Sequence, residues 1–181
     1  MMTGRMRSTI LAAFLVLVGL VLPLGGQQAP ADLVRLADRL AGQLDIAIQH
    51  AVLGRLAAGT DDLKIQAHQV LNVLVGREGP GYEPRFGDPG DGVGLVTYAR
   101  QLGLAVADLG QSLRLIAENL LFFINAATEE VRAAIRTGRE SEARQALYRG
   151  MGFLLAARGC PDDLPSEGGV RTLQRLIGRS P

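Results

Sequence analysis

The sequence predicts an all-α protein, an up-down-up-down four-helix bundle with a long ordered Gly/Pro-rich loop between its second and third helices. Three observations carry this reading. Beyond residue 31, apolar residues recur at steps of three and four over long segments, the period of a helix face. No segment shows the alternating Val/Thr/Tyr pattern of a half-buried strand. The composition is rich in Ala, Leu and Gly, lacks Trp and holds only eight aromatics, which suits close helix packing better than a β-sandwich core.

The first 31 residues have the pattern of a cleaved secretory signal. Arg5 and Arg7 form a basic start, and Ile10 to Leu24 is an uncharged apolar run. Pro23 and Gly25-Gly26 break that run, and Ala29-Pro30-Ala31 fits the small-x-small cleavage pattern. The run is 15 residues long, short of the roughly 20 that a spanning helix needs. The alternative is an uncleaved signal anchor. Cleavage after Ala31 leaves 150 residues, enough for one helical domain over 32–159, followed by a tail over 160–181. The expected location is secreted or periplasmic, in a bacterial cell envelope.

The first helix is expected from about Asp32 to Ala58, with Leu33, Leu36, Ala37, Leu40, Leu44, Ala47 and Ala51 on its apolar stripe. Arg35, Asp38, Arg39, Gln43 and Gln49 lie mainly off that stripe. Gly59 is the expected stop, and Thr60 is the expected cap of a second helix. Asp61 and Asp62 then sit in its first turn, where the helix dipole favours negative charge. So short a connection makes the first two helices an antiparallel hairpin. The second helix runs to Val75, with Leu63, Ala67, Val70, Leu71 and Leu74 inward.

Gly76 to Gly90 contains five glycines and three prolines, which excludes a helix there. Structureless loops of this length are functional or disordered. Tyr82 and Phe86 argue for order, since their rings have apolar area to bury. The third helix starts near Asp91, which is placed as its cap. Leu95, Leu102, Val106, Leu109, Leu113, Ile116, Leu120 and Phe123 make a continuous seam along it. That helix is expected to reach Thr137, with a bend near Ala126 to Thr128. Gly103 and Gly110 are read as packing details. A fourth helix follows from Glu140 to Ala157, and a short one from Val170 to Ile177.

The formal net charge is +1, and removal of Arg5 and Arg7 takes it to −1. So balanced a chain has no charge excess to recruit nucleic acid or an anionic membrane. Cys160 is the sole cysteine and has no internal disulfide partner. Gly-x-Ser-x-Gly, Cys-x-x-Cys-His and inward Glu-x-x-His pairs are all absent. The Gly-x-His-x-x-Glu motif of imelysin-like iron-uptake proteins is absent too.

Two constellations remain. His50 and His68 lie nine residues before Gly59 and eight after Thr60, and so at matched heights on the hairpin. A transition metal or haem between helices would use that height. At 100° per residue, however, the two rings swing to one side of the hairpin, one towards the neighbouring helix and one away. In the loop, Asp88 and Asp91 offer oxygens to calcium, with Glu78 or Glu83 adding to them. Turn and capping chemistry explains the same Asp-Pro-Gly-Asp-Gly residues without an ion. Asn72 and Arg77 are expected to bond loop carbonyls and hold the loop to the second helix.

The expected function is therefore a non-enzymatic binding or structural module. Its contact unit comprises Asn72, Arg77, Tyr82, Phe86, Asp88 and Asp91. The partner would be a protein or a small ligand, and the third-helix seam would also permit a dimer. No cofactor is expected. The alternative is a metal- or haem-binding bundle using His50, His68, Asp88 and Asp91.

Overall fold

The computed structural model describes residues 29–160 and 162–178. The apolar run and basic start of the expected signal lie outside the described residues. Ala29 packs against the core, partly buried.

The fold is all-helical. Six α-helices follow in order: α1 (Ala31–Leu56), α2 (Thr60–Val75), α3 (Leu95–Ala105), α4 (Gln111–Arg136), α5 (Glu140–Arg158) and α6 (Val170–Leu176). One 3-10 turn, Pro84–Phe86, lies between α2 and α3. α1 packs on α2 and α5, and α4 packs on the same two helices. α3 lies against α1, α2 and α4, while α6 packs mainly on α1 and α4. Leu40 and Leu44 of α1, Leu63 and Leu74 of α2, Leu120 and Ile124 of α4, and Leu147 and Leu154 of α5 are fully buried between them. Each such side chain contributes about 1.5–3 kcal/mol on leaving water. Alanines at 37, 47, 51, 67, 127, 134, 143 and 157 are also fully buried, which keeps the helices close without aromatic bulk.

The predicted third helix is two helices. The chain leaves α3 at Ala105 and re-enters a helix at Gln111, after Gly110 at φ 116°. That backbone conformation is open to glycine and strained for other residues. The expected seam is interrupted at the break: Leu102 and Val106 before it and Ile116 and Leu120 after it are fully buried, whereas Leu109 is exposed. The buried seam residues on both sides still face one core across two helices. Near Ala126 to Thr128 the helix is unbroken, and buried Thr128 donates its hydroxyl to Ile124 O at 2.8 Å.

Two expected caps are also replaced. Thr60 is the first residue of α2, not its cap, and its hydroxyl donates to the Glu140 carboxylate at 3.1 Å. Asp91 lies three residues ahead of the α3 N-cap, Gly94. The expected polar tail contributes to the core through α6, whose Val170 and Leu173 are fully buried.

Candidate functional site

The segment between α2 and α3 is anchored at its ends by backbone contact. Arg77 N–H donates to Gly92 O at 2.9 Å. Gly76 (φ 71°) and Gly94 (φ 89°) face each other so closely that a Cβ on Gly76 would lie 2.4 Å from Val93 O, and one on Gly94 would lie 2.5 Å from the Val75 carbonyl carbon. Only residues without a side chain fit this closure. It brings the two ends of the segment together, the geometry of an Ω-loop.

Asn72 is the central post of the loop. It lies on the inward face of α2, one turn after His68, and is completely buried. Its Nδ2 donates to Glu83 O at 2.9 Å and to Gly87 O at 2.6 Å. Its Oδ1 accepts from Glu83 N–H at 3.0 Å. The amide thus spends both hydrogens and one acceptor on the two flanks of the 3-10 turn. One turn earlier, Gln69 Nε2 donates to Phe86 O at 3.1 Å.

Aromatic contacts cover this scaffold. The His68 ring stacks on Phe86 with centroids 4.0 Å apart and planes 12° from parallel. The Arg85 guanidinium also lies over the Phe86 ring, 4.6 Å from its centroid. Glu83 holds Arg85 with one carboxylate oxygen, and its other oxygen is 3.6 Å from His68 Nδ1. That spacing is too long for a hydrogen bond. Burial lowers the His68 pKa below 6.5; Glu83 opposes the shift, while Arg85 and Lys64 add to it. His68 is accordingly neutral at pH 7. Tyr82 packs partly buried against the core.

The aspartates make separate local contacts. Asp88 Oδ2 accepts from Arg77 Nε at 2.6 Å, a bond that raises the Arg77 pKa. Asp91 Oδ1 accepts from Val93 N–H at 3.1 Å, and its Oδ2 accepts from the buried Tyr98 hydroxyl. Burial, reinforced by that bond, raises the Tyr98 pKa. Asp91 N–H in turn donates to Gln43 Oε1 of α1 at 3.3 Å. Among the described residues, no group of three or more His, Cys, Asp or Glu side chains is placed to share a metal ion.

No protein-family model, curated protein or solved structure matches the chain.

The six residues expected to form a loop unit are therefore on one continuous structure. Asn72 bonds loop backbone as expected, whereas Arg77 pairs with the Asp88 carboxylate instead of a carbonyl. His50 and His68 make unrelated contacts. His50 Nδ1 bonds Gln66 Oε1 at 2.8 Å, and Gln66 and His68 are two residues apart on α2, on opposite sides of that helix. Sequence reasoning missed Gln43, Gln69, Arg85 and Tyr98, and offered Glu83 only as a calcium oxygen, whereas its carboxylate pairs with Arg85. It also missed Arg132 of α4, whose Nη2 donates to Pro80 O at 3.0 Å. Gln43, expected off the apolar stripe, is buried on α1; its spacing, three residues after Leu40 and four before Ala47, was the signal that placed it inward.

His68 Nδ1, Gln69 Oε1 and Asp88 Oδ1 are buried without a hydrogen-bond partner among the described residues. Outward, the loop exposes Arg77, Glu78, Pro80, Pro84, Arg85 and Val93. Such a surface can present a fixed proline–arginine crest and a mixed charge pattern to another molecule.

Proposed function

We propose that the chain is a non-enzymatic binding module of the bacterial cell envelope, exported by its N-terminal apolar segment. In this reading α1, α2, α4 and α5 act as the four-helix frame, and the α2–loop–α3 unit is the recognition element. The observation that carries the proposal is the buried Asn72 amide, committed at three points to loop backbone. A loop folded in advance loses less conformational entropy on binding than a flexible one, so its affinity is higher for the same contacts. The exposed Pro84-Arg85 crest is then the contact surface, and a protein partner suits its mixed charge.

A metal or haem between the helices has weaker support, because Gln66 engages His50 while Phe86 covers His68. No helix among the described residues is long and apolar enough to cross a membrane.

Site-specific photocrosslinking in the native host tests the recognition loop. A photoreactive residue in place of Arg85 is expected to give a discrete adduct. The same residue in place of exposed Ser141 on α5 is expected to give none. Equal labelling from both positions, or none from Arg85, would remove the basis for the proposal.

A further inference from the structure

A second surface shares no residue with the loop. A groove of about 490 Å³ lies between α3 and α4. That volume falls within the range of small-molecule sites. Its lining is predominantly apolar and includes Leu104, Ala107, Ala117 and Leu121. Leu104 is 80 % exposed at the rim of this apolar lining. Gly103 leaves its side of the groove open, since a Cβ added there would meet no atom within 4 Å.

The charges at the groove are Arg100, Arg114 and Glu118. All three side chains are exposed, and none forms an ion pair or hydrogen bond among the described residues. Elsewhere on the surface arginines are regularly paired, as Arg77 is with Asp88, Arg144 with Glu140 and Arg149 with Glu130. Two guanidiniums against one carboxylate leave a single positive charge beside an apolar trough. The complementary ligand has one negative head and one apolar tail.

We propose that the α3–α4 groove binds a long-chain fatty acid, its tail along Leu104, Ala117 and Leu121 and its carboxylate between Arg100 and Arg114. The site shares no lining residue with the loop. A second copy of the protein would bring the same net charge against itself.

The test uses the purified full chain and a dansyl-labelled fatty acid below its micelle concentration, with the matching fatty alcohol as comparison. Saturable binding of the acid is expected, at an affinity about two- to fivefold above that of the alcohol for each exposed arginine engaged. The R100Q/R114Q double variant is expected to abolish this preference. Gly103→Leu fills the trough and displaces about two methylenes of tail, so it is expected to weaken both ligands about tenfold. Its melting temperature should hold or rise, because leucine is the better helix former. Equal affinity for acid and alcohol would overturn the proposal, as would unchanged binding in Gly103→Leu. Self-association that Gly103→Leu abolishes, without probe binding by the parent chain, would also overturn it and assign the face to a dimer.

Discussion

Asn72→Ala is the most informative single substitution. It removes two donors and one acceptor that hold Glu83 O, Gly87 O and Glu83 N–H at 2.9, 2.6 and 3.0 Å. Each intramolecular bond has a net value of about 0.5–1.5 kcal/mol, and a buried polar group left unpaired costs about 1–3 kcal/mol. Glu83 and Gly87 are not buried, so water recovers part of that loss. The expected destabilisation is therefore about 2–4 kcal/mol, or roughly 5–15 °C in melting temperature for a domain of this size. The loop contains two trypsin sites, after Arg77 and after Arg85. Cleavage through local opening follows the open population, so both bonds should be cut at least about tenfold faster. Asn72→Asp keeps the side-chain volume but sets a negative charge against two carbonyls, and should be at least as damaging. Urea denaturation combined with timed trypsin digestion and mass spectrometry reads both effects. A loss below about 1 kcal/mol with unchanged cleavage after Arg77 and Arg85 would refute the account of Asn72 as the loop's post.

Three further outcomes follow from the same geometry. Gly94→Ala forces a side chain into a positive φ and against the Val75 carbonyl, so it should cost at least about 3 kcal/mol in urea denaturation; Gly103→Ala, in open space, should stabilise by about 0.5–1 kcal/mol. The His68 pKa is lowered in the folded state, so the unfolded chain binds the extra proton; stability should fall as pH drops below 6.5, and His68→Phe should remove that component from the urea midpoint plotted against pH. Asp88 is engaged by Arg77 and Asp91 by Val93 N–H and Tyr98, so millimolar calcium should leave the melting temperature where chelator leaves it; a rise lost in Asp88→Asn would show that the ion competes successfully with Arg77.

The helical class was legible because a 3.6-residue period survives any packing arrangement, and α1, α2 and α5 begin and end within two residues of their expected limits. The break between α3 and α4 was not. Leu102, Val106, Leu113 and Ile116 keep a heptad-like spacing across it, and spacing along a chain does not register a change of direction. Gly110 was the local signal, since it is the glycine at positive φ that immediately precedes α4. The loop was partly legible for a related reason. Asn72 declared itself as an amide on an apolar face immediately before a glycine-rich segment. Asp91 did not, because an aspartate ahead of a helix resembles a cap, and its actual partner Tyr98 lies seven residues on. Gln43 and Arg132 reach the loop from α1 and α4, contacts that exist only once the helices are packed.

Those distant contacts bear on what the loop can do. Three helices hold it: α2 through Asn72 and Gln69, α1 through Gln43, and α4 through Arg132. A loop attached to one helix could move with that helix alone. This one reports the relative placement of three, so displacement of α4 would strain the Arg132–Pro80 bond before it disturbed the Asn72 post. α4 also forms one wall of the α3–α4 groove, through Arg114, Ala117 and Leu121. α3, the opposite wall, starts at Gly94, where the loop closes against Gly76. Both walls of the groove are thus continuous with loop attachments. Coupling between groove and loop would require the helix pair to have two arrangements of differing loop contact. Hydrogen exchange at Glu83 N–H, with and without the dansyl fatty acid, measures that directly. Faster or slower exchange on ligand addition, lost in Arg132→Met, would make α4 the connection. Exchange that ignores the ligand would leave the groove and the loop as two independent surfaces on one rigid frame.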